Sequence, residues 1–233
     1  MTNTNPSTVM PTFTTEPLTE NCRDVCARGE HALVGVSPGN SYFSEERLTE
    51  LFRWAGSLFR RVDVMIPDSA QRHTWLALGY TPGRSHRKSH NESSRIFNRV
   101  NRAWQAAEVP DVEFGAYRLS QIEERPHYQE LLRESEKALA DDPETRESYY
   151  RVVRKVLRNH LAGAEPTEEQ AAEAARYLIA ETPFLINTPR VMGVTSSTAI
   201  YQHRLEFIDR IYAGQTPLRR DDQQAFLVTR PAS

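Results

Sequence analysis

The chain has 233 residues, 39% of them apolar, enough to bury a substantial core in one α/β domain. Its 29 Lys plus Arg stand against 31 Asp plus Glu, a net charge of -2. Global charge therefore excludes itself as a grip on nucleic acid, and any such binding has to come from local clustering of cations.

Residues 1–20 are rich in Thr, Asn and Pro, carry no Lys or Arg, and hold no apolar run long enough for a signal sequence or a membrane span. They read as a flexible tail on a cytoplasmic protein, with the folded domain over 21–233. Cys22 and Cys26 stand four apart with no second cysteine pair to complete a zinc site. They are expected to be reduced, with no metal bound.

"HALVGVS", residues 31–37, is a short continuous apolar run of the kind buried on both faces of a parallel sheet. A helix follows: Ser44 can cap it, Glu45 and Glu46 suit its positive end, and Leu48, Leu51, Phe52 and Ala55 recur at helical spacing. "RVDVMIPD" is a second strand, "AQRHTWLALG" a short helix, "GRSHRKSHNESSRIFNRVNRAW" a long one, and "VEFGAYRLS" a third strand. Residues 120–160 and 167–181 look helical, broken at Pro143 and at 163–166, before "RVMGVTSSTAIYQH" and "QAFLVTR" return to strand character. Strands interleaved with helices predict an α/β fold, a single Rossmann-like domain with a mainly parallel sheet. In such sheets ligands sit beyond the carboxyl ends of the strands, which puts Ser37 at the expected site.

The loop after the first strand lacks both G-x-G-x-x-G and the P-loop pattern, so it does not read as a cradle for nucleotide phosphate. Without that glycine fingerprint, Asp68 at the end of the second strand is a weak ribose ligand. "GVSPG" does match the nucleophile elbow G-x-S-x-G. The local pattern leaves two readings open: a serine that satisfies backbone groups in a turn, or a nucleophile.

Three separated stretches, "HALVGVSPGNSYFS", "YLIAETPFL" and "SSTAIYQH", resemble the cyclodipeptide synthases, over roughly residues 20–230. The resemblance implies a fold like the catalytic domain of class I tyrosyl- and tryptophanyl-tRNA synthetases. It also implies an aminoacyltransferase that takes two aminoacyl-tRNAs per turnover and joins their residues into a cyclic dipeptide. No ATP or other cofactor is implied, and the chain has neither the HIGH nor the KMSKS signature. No DNA and no membrane is expected as a partner. By position, the resemblance makes Ser37 the nucleophile and Tyr177 and Glu181 the pair that bonds the aminoacyl group. Asn40, Tyr201 and Gln202 match the asparagine/tyrosine/glutamine branch, with Tyr201 assisting proton transfer, and Tyr128 matches a further active-site tyrosine. Tyr177 and Glu181 are i and i+4, so one helix face can present both. A first-residue pocket is implied at Leu33, Gly35, Met65, Leu119, Phe184 and Ala199, all apolar or small.

Arg84, Arg87, Lys88, Arg95, Arg99 and Arg102 fall largely on one helix face, broken by Glu92, with Ile96, Val100 and Ala103 on the other. Such a stripe is a solvated face in an arbitrary helix; the resemblance makes it the tRNA-binding surface. Two rival readings remain. A serine esterase of α/β type should carry a downstream acid and then a histidine, yet no histidine follows His203. A non-catalytic tRNA-binding module should have lost the polar set, which is present.

Overall fold

The computed structural model describes residues 13–232. In chain order its elements are β1 (Phe13–Pro17), α1 (Glu20–Ala27), β2 (His31–Gly35), α2 (Glu45–Gly56), β3 (Arg61–Ile66), α3 (Arg72–Ala77), α4 (Pro82–Ala107) and β4 (Glu113–Arg118). There follow α5 (Pro126–Asp141), α6 (Pro143–His160), α7 (Glu168–Met192), β5 (Ser197–Tyr201), α8 (Glu206–Tyr212) and β6 (Gln224–Pro231).

Local chemistry explains most of these boundaries. Ser44 accepts a hydrogen bond from the Arg47 N–H at 3.2 Å and starts α2. Thr167 and Gln170 form a reciprocal capping box at the start of α7, and Gly193, with φ of 70°, ends it. Pro143 occupies the first turn of α6, where its missing N–H costs nothing.

The six strands run in the order β1-β6-β5-β2-β3-β4. Every neighbouring pair is parallel except β1 with β6. Counted among the parallel strands alone, the first one in the chain lies at the centre and the order reverses between β2 and β5, the doubly wound arrangement whose crevice holds ligands. Alternate residues face opposite layers. Val34, Val64 and Ile200 pack under α2 and α4 with Leu48, Phe52, Ile96 and Val100. Leu33, Met65 and Ala199 pack on the other side with Tyr128, Tyr149, Leu178 and Phe207 from α5 to α8.

Two expectations are corrected. Residues 13–20 are not tail: Phe13–Pro17 is an edge strand paired antiparallel with β6, from Phe13 opposite Pro231 to Pro17 opposite Leu227. Phe13 is buried, its ring 5.6 Å from that of Trp54, and Thr19 already caps α1. The remainder of the expected tail, residues 1–12, lies outside the described residues. "RVM" at 190–192 is the end of α7, not the start of a strand: α7 kinks at Asn187, whose φ of -157° and ψ of 60° are not helical, and the helix then resumes until Gly193 ends it.

Buried at the amino ends of the strands is a Ser-His-Asp line: His31 Nδ1 lies 2.8 Å from Ser197 Oγ and His31 Nε2 lies 3.1 Å from Asp63 Oδ2. Arg61 completes it at 2.6 Å from Asp63. All three members of the line are sealed from solvent, at the opposite end of the sheet from Ser37, so it satisfies buried polar groups and pins three strands together.

Candidate active site

Ser37 follows the carboxyl end of β2, where the chain leaves the sheet in a tight turn. The Asn40 N–H donates to the Ser37 carbonyl at 3.2 Å. With Pro38 second and Gly39 third, at φ of 80°, the turn has the residue placing of type II. Asn40 Oδ1 accepts the Tyr42 N–H at 2.9 Å, an Asx turn that fixes the far side of the loop. This geometry directs Ser37 toward the last residue of β5: Ser37 Oγ and Tyr201 Oη are 3.2 Å apart.

The Tyr177 phenol completes the cluster, near enough to Ser37 and Glu181 for both to bear on its pKa. The i, i+4 spacing on α7 thus does bring Tyr177 and Glu181 to one point. Ser37, Tyr177, Glu181 and Tyr201 are each half-buried. Burial pushes the Glu181 carboxyl up to about 8, offset in part by the Tyr177 hydrogen bond. Both phenols are raised above their ordinary value by desolvation and by the Glu181 charge, with the Ser37 hydrogen bond opposing. The partner of Ser37 Oγ is a tyrosine and not a histidine. His203 packs edge-on against Tyr201, ring centres 6.1 Å apart, and burial lowers its pKa.

The expected lining residues lie below this cluster. Leu33 and Ala199 face each other across β2 and β5, and Gly35 sits opposite Met65 on β3. Leu33, Met65, Leu119, Phe184 and Ala199 are all buried in one continuous apolar layer. A Cβ on Gly35 would meet the Tyr201 ring at 3.6 Å, an ordinary van der Waals contact, which places this glycine directly beside the ring.

The family model for cyclodipeptide synthases matches residues 13–231. The chain belongs to the cyclodipeptide synthase family. It is 30% identical to the cyclo(L-leucyl-L-leucyl) synthase of Bacillus subtilis, covering 93% of this chain and 88% of that one. It is 29% identical to the cyclo(L-tyrosyl-L-tyrosyl) synthase of Mycobacterium tuberculosis, covering 97% of this chain and 78% of the other. A solved Mycobacterium tuberculosis structure, described as demonstrating that cyclodipeptide synthetases are related to type I tRNA synthetases, superposes with a TM-score of 0.84 at 28% identity. That match covers 97% of this chain and 96% of the other. The synthase is therefore an aminoacyltransferase that makes cyclic dipeptides, on the expected synthetase-like fold, and the esterase and non-catalytic readings fall away.

Two expected contacts of the synthase are redrawn by the structure. Tyr128 is fully buried, and its hydroxyl donates to the Ala180 carbonyl at 2.9 Å. It holds α7 beside Glu181, and its phenol is raised by burial. Gln202 is also buried; its amide acts on Tyr201 while its Oε1 is left without a partner.

The basic helix divides in two. Arg84, Arg87 and Arg95 are exposed and, with Lys88, line a surface groove of about 320 Å³ that Tyr80, Asn91 and Glu92 complete. Arg84 lies over the Tyr80 ring at 4.3 Å. Arg99 instead donates to the Phe43 carbonyl at 2.7 Å, and Arg102 pairs with Glu45 at 2.8 Å. These two fasten α4 to the start of α2, which spacing along one helix cannot reveal. As expected, Ile96, Val100 and Ala103 are buried beneath. Asp68 accepts from the backbone and hydroxyl of Ser120 at 3.0 and 2.7 Å, a structural role and not a ribose site.

Sequence reasoning passed over Gln71. A lone glutamine in a helical run carries no signal, yet it reaches the Pro38 carbonyl beside Ser37 at 3.4 Å. Among the described residues no helix is long and apolar enough to cross a membrane, and no cluster of three His, Cys, Asp or Glu is arranged to hold a metal.

Proposed function

We propose that this synthase joins the residues of two aminoacyl-tRNAs by ping-pong acyl transfer through an ester on Ser37. The observation that carries the reading is the 3.2 Å contact of Ser37 Oγ with Tyr201 Oη at the reversal point of the sheet, with Tyr177 and Glu181 beside it. An aminoacyl-tRNA ester is already activated, so no ATP or other cofactor is required; the protein supplies a placed hydroxyl, an anion and a proton route.

Ser37 Oγ attacks the ester carbonyl of the first substrate. The bond from that carbonyl to the ribose oxygen breaks, and the serine proton passes through the tyrosine hydroxyls to the departing ribose oxygen. Glu181 meets the substrate ammonium. A free α-amino group titrates at about 8, and the Glu181 carboxyl is pushed up to about 8, so proton transfer between them is nearly balanced and Glu181 can both anchor the cation and release the amine. That amine attacks the second aminoacyl-tRNA, forming one amide and expelling the second tRNA. The new amine then attacks the seryl ester, the ring closes, and Ser37 Oγ regains its proton with Tyr201 as relay. Asn40 and Gln202 act by fixing the turn and the Tyr201 phenol.

The apolar layer of Leu33, Met65, Leu119, Phe184 and Ala199 supports an aliphatic or aromatic first residue, leucine or isoleucine foremost, because a charged side chain would lose its hydration there. The groove of Arg84, Arg87, Lys88 and Arg95 suits the phosphates of the tRNA. The deciding experiment is mass spectrometry of medium from bacteria expressing the chain, with Ser37→Ala as control. Cyclic dipeptides rich in leucine or isoleucine are expected from the parent and none from the variant; equal product from both overturns the Ser37 assignment.

A further inference from the structure

Gln71 lies between β3 and α3 and is buried, 5% exposed. Both ends of its carboxamide are used. Nε2 lies 2.5 Å from Glu92 Oε2 and 3.4 Å from the Pro38 carbonyl, while Oε1 accepts from Ser93 Oγ at 3.4 Å. Glu92 in turn receives Lys88 Nζ at 2.9 Å on its other oxygen. The same carboxylate lies against the turn itself, since a Cβ on Gly39 would stand 3.5 Å from Glu92 Oε2. A continuous polar chain therefore runs from the turn that presents Ser37, through Gln71 and Glu92, to a cation lining the groove on α4.

The acid at position 92 is otherwise an oddity. It sits among Arg84, Arg87, Lys88 and Arg95 in a groove suited to phosphate, where it lowers the positive potential. Burying a glutamine and most of a glutamate beside a catalytic turn is sustained only when their hydrogen bonds are met, and here each meets the other.

We infer that Gln71 and Glu92 are positioning residues of acyl transfer: Gln71 holds the turn that aims Ser37, and Glu92 both anchors Gln71 and restrains Lys88 until tRNA phosphate competes for it. This rests on the reading of Ser37 and the groove given above. The division of labour has a kinetic signature. Gln71→Met keeps the side-chain volume but releases the Pro38 carbonyl, so formation of the seryl ester at saturating aminoacyl-tRNA should slow by about tenfold or more, because small misplacements of a nucleophile are costly. Its affinity for tRNA should stay within about twofold, since the groove keeps its cations. Glu92→Gln keeps an oxygen for Gln71 and frees Lys88. Its kcat should hold while KM falls and the salt dependence of binding steepens.

The experiment is single-turnover labelling of the full chain with radiolabelled aminoacyl-tRNA, beside filter binding of the same tRNA at two salt concentrations. Labelling of Gln71→Met at the parent rate overturns the inference, as does a Glu92→Gln variant whose KM is unchanged or raised. Should Gln71→Met lose cooperative unfolding, Glu92→Ala replaces it. Glu92 is partly exposed, and its removal takes away the nearer anchor of Gln71, so slower labelling supports the inference and parent-rate labelling overturns it. A parent protein that makes product without labelling Ser37 overturns the earlier reading instead. Gln71→Met and Glu92→Ala are then compared with the parent by product formed in one turnover at saturating aminoacyl-tRNA, where parent-like rates overturn the inference.

Discussion

The hydroxyls of Ser37 and Tyr201 meet at 3.2 Å although the residues are 164 positions apart. Each follows or ends one of the two central strands, and the sheet order reverses between those strands. The contact therefore lies where a doubly wound sheet opens its crevice. Tyr201→Phe removes the hydroxyl and little else. Product formation should fall by about a hundredfold, in the range for loss of a proton relay, with a melting temperature close to the parent's. A Tyr201→Phe enzyme of parent activity would show that the Ser37 proton takes another route.

Glu181 links activity to pH and to stability. Its carboxyl titrates near an ordinary 4.5 when unfolded and at about 8 in the fold, so folding takes up a proton between those values. The fold carries no penalty below 4.5, a growing one as pH rises toward about 8, and a constant one above. Glu181→Gln should therefore be inactive yet more stable than the parent at pH 9, by on the order of a few kcal/mol at most, since solvent at this half-buried site screens part of it. Near pH 4 the two proteins should unfold at the same urea concentration. A variant less stable than the parent at both pH values contradicts the assignment of burial as the cause.

Tyr128 is expected to act on α7 and not directly on substrate. Tyr128→Phe leaves the Ala180 carbonyl without its donor and should cost ~1 kcal/mol of stability, with a kcat reduced far less than in Tyr201→Phe. Urea denaturation and product assays together test this; an inactive but fully stable Tyr128→Phe protein would place the hydroxyl on the substrate.

The two halves of the basic helix should respond differently. Arg87→Glu with Arg95→Glu should weaken use of aminoacyl-tRNA most at low salt and flatten its salt dependence, because fewer phosphate contacts are left to screen, while unfolding is unchanged. Arg99→Ala should instead lower the melting temperature, because it withdraws a 2.7 Å donor from the Phe43 carbonyl. Identical salt dependence in the Arg87/Arg95 double variant and the parent would move the tRNA to another surface.

What sequence alone determined is local. The apolar run of β2, the Ser44 cap, the break at Pro143 and the i, i+4 pair of Tyr177 and Glu181 are all written in adjacent residues, because helix and strand periods, caps and turns depend on near neighbours. The placing of Ser37 beyond a strand end, together with the three quoted stretches, sufficed to indicate the family. Tertiary structure decided the rest. Phe13–Pro17 is too short and too polar to announce a strand, and its partners in β6 are more than 200 residues away. The commitment of Arg99 and Arg102 to α2, of Tyr128 to the Ala180 carbonyl and of Gln71 to Pro38 and Glu92 likewise depends on segments that meet only when the layers close. A side chain's period shows which face it occupies; which polar atom it finds there is set by the packing of another element, and no spacing along its own helix or strand carries that information.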